Sequence, residues 1–185
     1  MPQRRPVDLA KCYKLLTHGP VTLVTSAHQG QRNIMAASWA MPLDFDPPKL
    51  TVVIDANTLT RKLVDASGEF ALQIPTRAIA RETLAVGSVS GVEGDKFARF
   101  GIDTFAAQHI AAPLVHGCVG WLECRVIADA SRRYDLFIAE VLAAYADDDV
   151  FSDGRWHFPA DPLRRTMHYM AGGEFFATGE SFRAD

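Results

Sequence analysis

The spacing of apolar and polar positions divides the chain into short segments whose period switches between about four and two residues. Over residues 8–16 apolar side chains return every three or four places, Asp8 stands as an N-cap and Gly19-Pro20 supplies a stop, which predicts a short amphipathic helix. Residues 21–26 are rich in β-branched side chains, and Gln29-Gly30-Gln31 can turn the chain back. A hairpin follows, its second strand carrying Asn33-Ile34-Met35-Ala36-Ala37-Ser38-Trp39. Residues 41–45 pair again before Asp46-Pro47-Pro48, where two prolines remove backbone donors, and 50–55 read as a central strand. Helical period returns over 57–66, with Asn57 or Thr58 as the cap.

Residues 69–75 alternate, placing Phe70, Leu72 and Ile74 toward the core, and 77–86 form an alanine-rich helix that stops at Gly87. Residues 87–97 read as a flexible segment, either a lid at a ligand's edge or a plain connection. Two long strands are expected over 118–128 and 134–145, joined by Ser131-Arg132-Arg133. In a small domain such lengths suit strands that curl around a closed sheet. Glu123 and Glu140 lie within them and are expected to face water or cross-strand arginines rather than to act as paired carboxylates. Asp147-Asp148-Asp149 and Asp153-Gly154 mark a solvated turn, and 168–179 set aromatics around Gly172-Gly173, where a ring or a backbone can approach closely.

Composition narrows the classes. The chain has 185 residues, 48% of them apolar, and a chain of this size buries about 70% of its unfolded surface. No repeat or linker divides it, so residues 1–185 are read as one domain. The net charge of -3 argues against a nucleic-acid partner. Met1-Pro2-Gln3-Arg4-Arg5 is basic, but no apolar stretch of signal-peptide type follows, and no run reaches the roughly 20 apolar residues of a membrane span. A soluble, cytoplasmic protein is expected. Cys118 and Cys124, if on one strand, stand roughly 20 Å apart, beyond disulfide reach. With Cys12 they read as buried apolar side chains. His109, His116, His157 and His168 are scattered, so no metal is expected; nor is there a Walker A loop or a nucleophile elbow.

Two stretches carry candidate chemistry. The strip 33–39 offers a hydroxyl, uncrowded backbone N–H groups and an indole, a surface that suits a flat ring; the alternative is a half-buried strand with its polar residues in water. Thr58, Thr60, Arg61 and Lys62 surround a helix start, where unpaired N–H groups and the dipole favour an anion such as a phosphate monoester. The alternative is a capped surface helix. Charge-assisted hydrogen bonds contribute about 1.5–3 kcal/mol each, so two or three plus a buried ring reach micromolar affinity, about 8 kcal/mol.

Taken in order, Asn33-x-Met35-Ala36-Ala37-Ser38-Trp39, Thr58-x-x-Arg61-Lys62, Asp95-Lys96-Phe97, Leu122-Glu123-Cys124, Phe137-Ile138-Ala139-Glu140-Val141 and His168-Tyr169 before Gly172-Gly173 resemble the landmarks of the flavin reductase-like, FMN-binding split-barrel family that includes flavoredoxin. The resemblance covers about residues 19–179. It implies a mainly β fold with flanking helices, a six-stranded antiparallel split β-barrel, and a homodimer with FMN near the subunit interface. Met35, Ala36, Ala37, Ser38 and Trp39 would line the flavin, Thr58, Arg61 and Lys62 would lie near its phosphate, and Ser88, Lys96 and Tyr169 would approach it from the 87–97 loop and the C-terminal part. No protein side chain is assigned as catalytic, because the cofactor itself would take a hydride from NADH or NADPH. The implied activity is an NAD(P)H-dependent flavin reductase that either releases reduced flavin to a partner monooxygenase or keeps it bound for a substrate. The alternative is a flavoredoxin-like electron carrier reduced by another redox protein.

Overall fold

The computed structural model describes residues 2–128 and 134–184, so the expected Ser131-Arg132-Arg133 joint lies outside the described residues. Strand β1 (Arg4–Pro6) precedes the expected short helix, a 3-10 helix over Leu9–Leu15; Asp8 caps it by accepting from Ala10 N. Strands β2 (Thr22–His28) and β3 (Gln31–Ala37) form the expected hairpin, with Gln29 and Gly30 in the left-handed region that such a tight turn needs. Strands β4 (Ala40–Phe45) and β5 (Pro48–Val53) make a second hairpin. Helix α1 (Leu59–Ser67) begins at Thr58 and ends on Gly68, whose φ of 72° a side chain would strain. After β6 (Glu69–Pro75) come a 3-10 turn, Arg77–Ile79, and α2 (Ala80–Ser88), which runs through Gly87 instead of stopping there.

The expected flexible segment is ordered by local caps: Ser90 starts a 3-10 turn, Gly91–Glu93, and Asp95 caps α3 (Lys96–Phe100). Short pairs β7 (Thr104–Phe105) and β8 (Leu114–Val115) precede the long strands β9 (Cys118–Val126) and β10 (Leu136–Asp147). Two small hairpins close the chain: β11 (Phe151–Ser152) with β12 (Arg155–Trp156), and β13 (Met167–Ala171) with β14 (Glu174–Ala177).

The main sheet runs β3-β2-β6-β9-β10-β5-β4, all antiparallel, with β1 added to β10. It has eight strands, not six, and does not close. The residue pattern itself marks seven strand segments, one more than the six of the implied barrel, and the eighth strand, β1, joins because the twelve-residue β10 is long enough to ladder with β5, β9 and β1. Strands β3 and β4 end the path although only Ser38 and Trp39 separate them in sequence. Among the described residues no strand pairs with the free edge of β3; there the Lys96 side chain donates to Ile34 O.

One core lies on the inner face, where Phe70, Leu72 and Ile74 are fully buried as expected, among Leu122, Phe137 and Val64 of α1. A second covers the other face of β2, β6 and β9 with Val86, Phe97 and the 112–115 segment. Burying one such side chain contributes about 1.5–3 kcal/mol. Cys12, Cys118 and Cys124 are free and buried, and burial pushes the Cys12 thiol up to about 12.

Glu123 departs from expectation. It is fully buried, and its carboxylate accepts from the backbone N–H groups of Gln108 (2.9 Å) and His109 (2.6 Å), so it anchors the 106–112 segment instead of facing water. Glu140 is exposed and stands opposite Arg125 and Lys49, as its alternation predicted.

Candidate functional site

Two cavities flank the free edge of β3. The first, of about 140 Å³, is bordered by Ala36, Ser38, Gly87, Ser88, Tyr169 and Phe175. The second, of about 210 Å³, is bordered by Asn33, Met35, Thr58, Thr60, Gly91 and Lys96, and it shares Ala36 and Gly87 with the first. In an antiparallel pair both backbone groups of a residue point the same way and alternate along the strand. Ile34 O points away from β2, where Lys96 reaches it, so the N–H and C=O of Ala36 also point away from β2 and toward the cavities. Those of Ala37 face β2, and Thr22 Oγ1 donates to Ala37 O.

The second cavity is built from a helix start. Thr58 Oγ1 accepts from Arg61 N at 3.1 Å and donates to Asp55 O at 2.8 Å, which fixes the first turn of α1. Helix geometry leaves the N–H groups of Leu59 and Thr60 without acceptors in a preceding turn. Opposite them, Lys96 is 4% exposed and donates to Ile34 O (3.0 Å) and Val86 O (2.7 Å). An ammonium has three donors, so one remains. Burial pushes the Lys96 pKa below the ordinary lysine value, with Glu93 pulling the other way, and among the described residues no carboxylate lies within ion-pair distance. The lysine is positioned by Asp95, which caps α3 and is held by Arg32 at 3.0 Å.

Asn33 lies on the floor of this chamber. Its Nδ2 donates to Thr60 Oγ1 at 2.8 Å, while its buried Oδ1 has no partner. Gly91 rests against it so closely that a Cβ there would stand 2.3 Å from Oδ1.

Of the residues singled out from the sequence, Met35, Ala36, Ser38, Thr58, Ser88, Lys96 and Tyr169 border the two cavities. The other four do not. Ala37 is buried in the inner core, and Trp39 is 75% exposed at the start of β4. Lys62 is exposed on α1. Arg61 turns away: its guanidinium meets Asp65 (2.9 Å), Asp135 (2.8 Å) and Ile54 O (3.2 Å) and stacks on Phe137. Sequence reasoning gave Asn33 no ligand role and passed over Gly87 and Gly91. The signal for Asn33 was an amide inside a strand, where asparagine is disfavoured.

A buried cation without a carboxylate, an exposed strand edge and a helix start thus converge on one groove. A family model for the flavin reductase like domain matches residues 15–172. The chain belongs to the flavin reductase-like family. Its fold superposes on the FMN-binding domain of a flavin reductase-like enzyme from Shewanella baltica with a TM-score of 0.95 and 47% identity, covering 100% of this chain and 98% of that one. Flavoredoxin of Desulfovibrio vulgaris (Miyazaki F) is 27% identical with a TM-score of 0.78 over 90% of each chain. An uncharacterised Escherichia coli (strain K12) protein, YddH, is 41% identical over 97% of both chains. The helix start and the β3 edge border a single groove, and among the described residues no helix is long and apolar enough to cross a membrane.

Proposed function

We propose that the protein binds FMN across the two cavities and works as an NAD(P)H-dependent flavin reductase. The observation that carries this reading is Lys96, a buried ammonium with a donor to spare and no carboxylate beside it, in a chamber walled by the start of α1. A phosphate monoester supplies the missing negative charge, and the Leu59 and Thr60 amides supply further donors. The residues fit the rest of the cofactor as well. Asn33 Oδ1 is an acceptor in want of a hydroxyl, Ala36 presents one donor and one acceptor at the strand edge, and Tyr169 and Phe175 give the first cavity aromatic walls.

Bound there, FMN would supply the redox chemistry, with NADH or NADPH as hydride donor. The chain's part is to hold and to exclude: Lys96 fixes the phosphate end, the Ala36 edge orients the ring, and the β13-β14 hairpin keeps water from one side.

A homodimer belongs to the same proposal. Trp39 just before edge strand β4 and Met41, Leu43 and Phe45 within it alternate with exposures of 75%, 56%, 48% and 64%, an apolar stripe that a second copy would cover. Three free, buried cysteines suit a reducing cytoplasm. A second reading, an electron carrier that keeps its FMN and takes electrons from a protein partner, is favoured by the likeness to flavoredoxin.

The purified protein is expected to bind FMN and quench its fluorescence, and anaerobic NADH or NADPH is expected to bleach the visible flavin band, a region of absorption that protein side chains lack. A bound flavin that neither nucleotide bleaches establishes the carrier instead. A protein that ignores FMN refutes both readings.

A further inference from the structure

We infer that Gly87 is a specificity-determining residue that makes the two cavities one site, so that a side chain there weakens binding of a ligand spanning both, the more so the bulkier it is. The identity of that ligand as FMN rests on the reading above.

Ala36 and Gly87 border both cavities and form the saddle between them. A Cβ added at Gly87 would stand 3.2 Å from the Cβ of Ala36, with nothing else within 4 Å outside its chain neighbours and its own helix backbone. The methyl would therefore press on the opposite wall and otherwise occupy the open groove. Backbone conformation does not call for glycine here, because Gly87 is not among the residues of positive φ. Nor does helix stability: glycine within a helix costs about 0.5–1 kcal/mol relative to alanine, and Gly87 lies in the last turn of α2. What glycine preserves is the gap facing Ala36.

That the second chamber takes a polar ligand is indicated independently by Asn33, 3% exposed, whose Oδ1 lacks a partner, and by Lys96, which borders the same chamber. A molecule confined to the Lys96 chamber never crosses the saddle. One with a ring in the first cavity and a phosphate in the second must.

The test uses the full chain with two probes, FMN and inorganic phosphate. Gly87→Val is expected to weaken FMN binding by at least about tenfold, the scale of an overpacked site, while phosphate binding stays within about twofold of the wild type. Gly87→Ala should weaken FMN measurably without lowering Tm, since alanine is the better helix former. Removing the facing methyl in the Ala36→Gly/Gly87→Ala double variant should restore most of that loss. An unchanged FMN affinity in Gly87→Val overturns the inference and leaves the flavin reading intact. Loss of phosphate together with FMN also overturns it, because the substitution would then act on the fold and not on the crossing. A wild-type protein that binds phosphate but not FMN refutes the flavin reading and the inference together.

Discussion

Arg61 Nη1 lies 2.8 Å from Asp135 Oδ1, joining the first turn of α1 to the residue just before β10. The same guanidinium holds Asp65 and Ile54 O, and its side chain is 14% exposed. A cation so engaged is a structural clasp. Arg61→Ala is expected to lower stability by about 2 kcal/mol in urea unfolding, the scale of hydrogen bonds to charged groups, and to change FMN affinity by less than about threefold. A tenfold loss of FMN affinity at unchanged stability would return Arg61 to the phosphate site.

Lys96 should behave in the opposite sense. Replacing the buried ammonium with an apolar side chain of similar length removes a desolvation penalty but leaves Ile34 O and Val86 O without their donor, so Lys96→Met is expected to change the stability of the empty protein by less than about 2 kcal/mol. Affinity for FMN should fall by about 10- to 100-fold, the worth of one charge-assisted hydrogen bond at about 1.5–3 kcal/mol. Thermal unfolding with and without FMN checks both halves: the variant must lose the ligand-induced rise in Tm that the wild type shows.

His18 provides a pH signature away from the groove. Its ring packs against Trp156 at 4.6 Å, its Nε2 meets Thr166 Oγ1 at 2.9 Å, and its buried Nδ1 has no partner. Burial, with help from the neighbouring His168, pushes its pKa down to about 4 from the ordinary 6.5. The unfolded chain therefore takes up the proton first as pH falls. The stability from keeping this ring neutral is complete above about 6.5 and is lost progressively between 6.5 and 4. Wild type should lose on the order of 1–3 kcal/mol more than His18→Gln between pH 7 and pH 4. Equal losses in the two proteins would show that the ring does not control this window.

Local pattern carried most of the fold. The β2-β3 hairpin, the Thr58 cap and the inward set Phe70, Leu72 and Ile74 all follow from period and turn chemistry over a few residues. The strand number did not, because β1 is three residues long and its ladder to residues 145–147 depends on where the end of β10 arrives in space. Glu123 misled for a related reason: its alternation was read correctly, but the 106–112 segment that covers that face lies elsewhere in the sequence. Along the groove, the family resemblance pointed to Lys96 and Tyr169, which border the two cavities, and to Arg61, whose guanidinium meets Asp135 instead of bordering them. Gly87 was hidden by its own simplicity, since a glycine near a helix end reads as a stop signal until the wall opposite is seen.

The pairing of Arg4 with Asp147 sets a schedule for synthesis. Those first residues leave the ribosome more than a hundred positions before their ladder partner exists, and the neighbours of β10 come from both halves of the chain. At about 5–20 residues per second, the nascent chain spends several seconds with sheet edges unsatisfied before β10 can knit them together. Refolding from denaturant, in which all strands are present at once, should for that reason follow a different order of events from folding during translation.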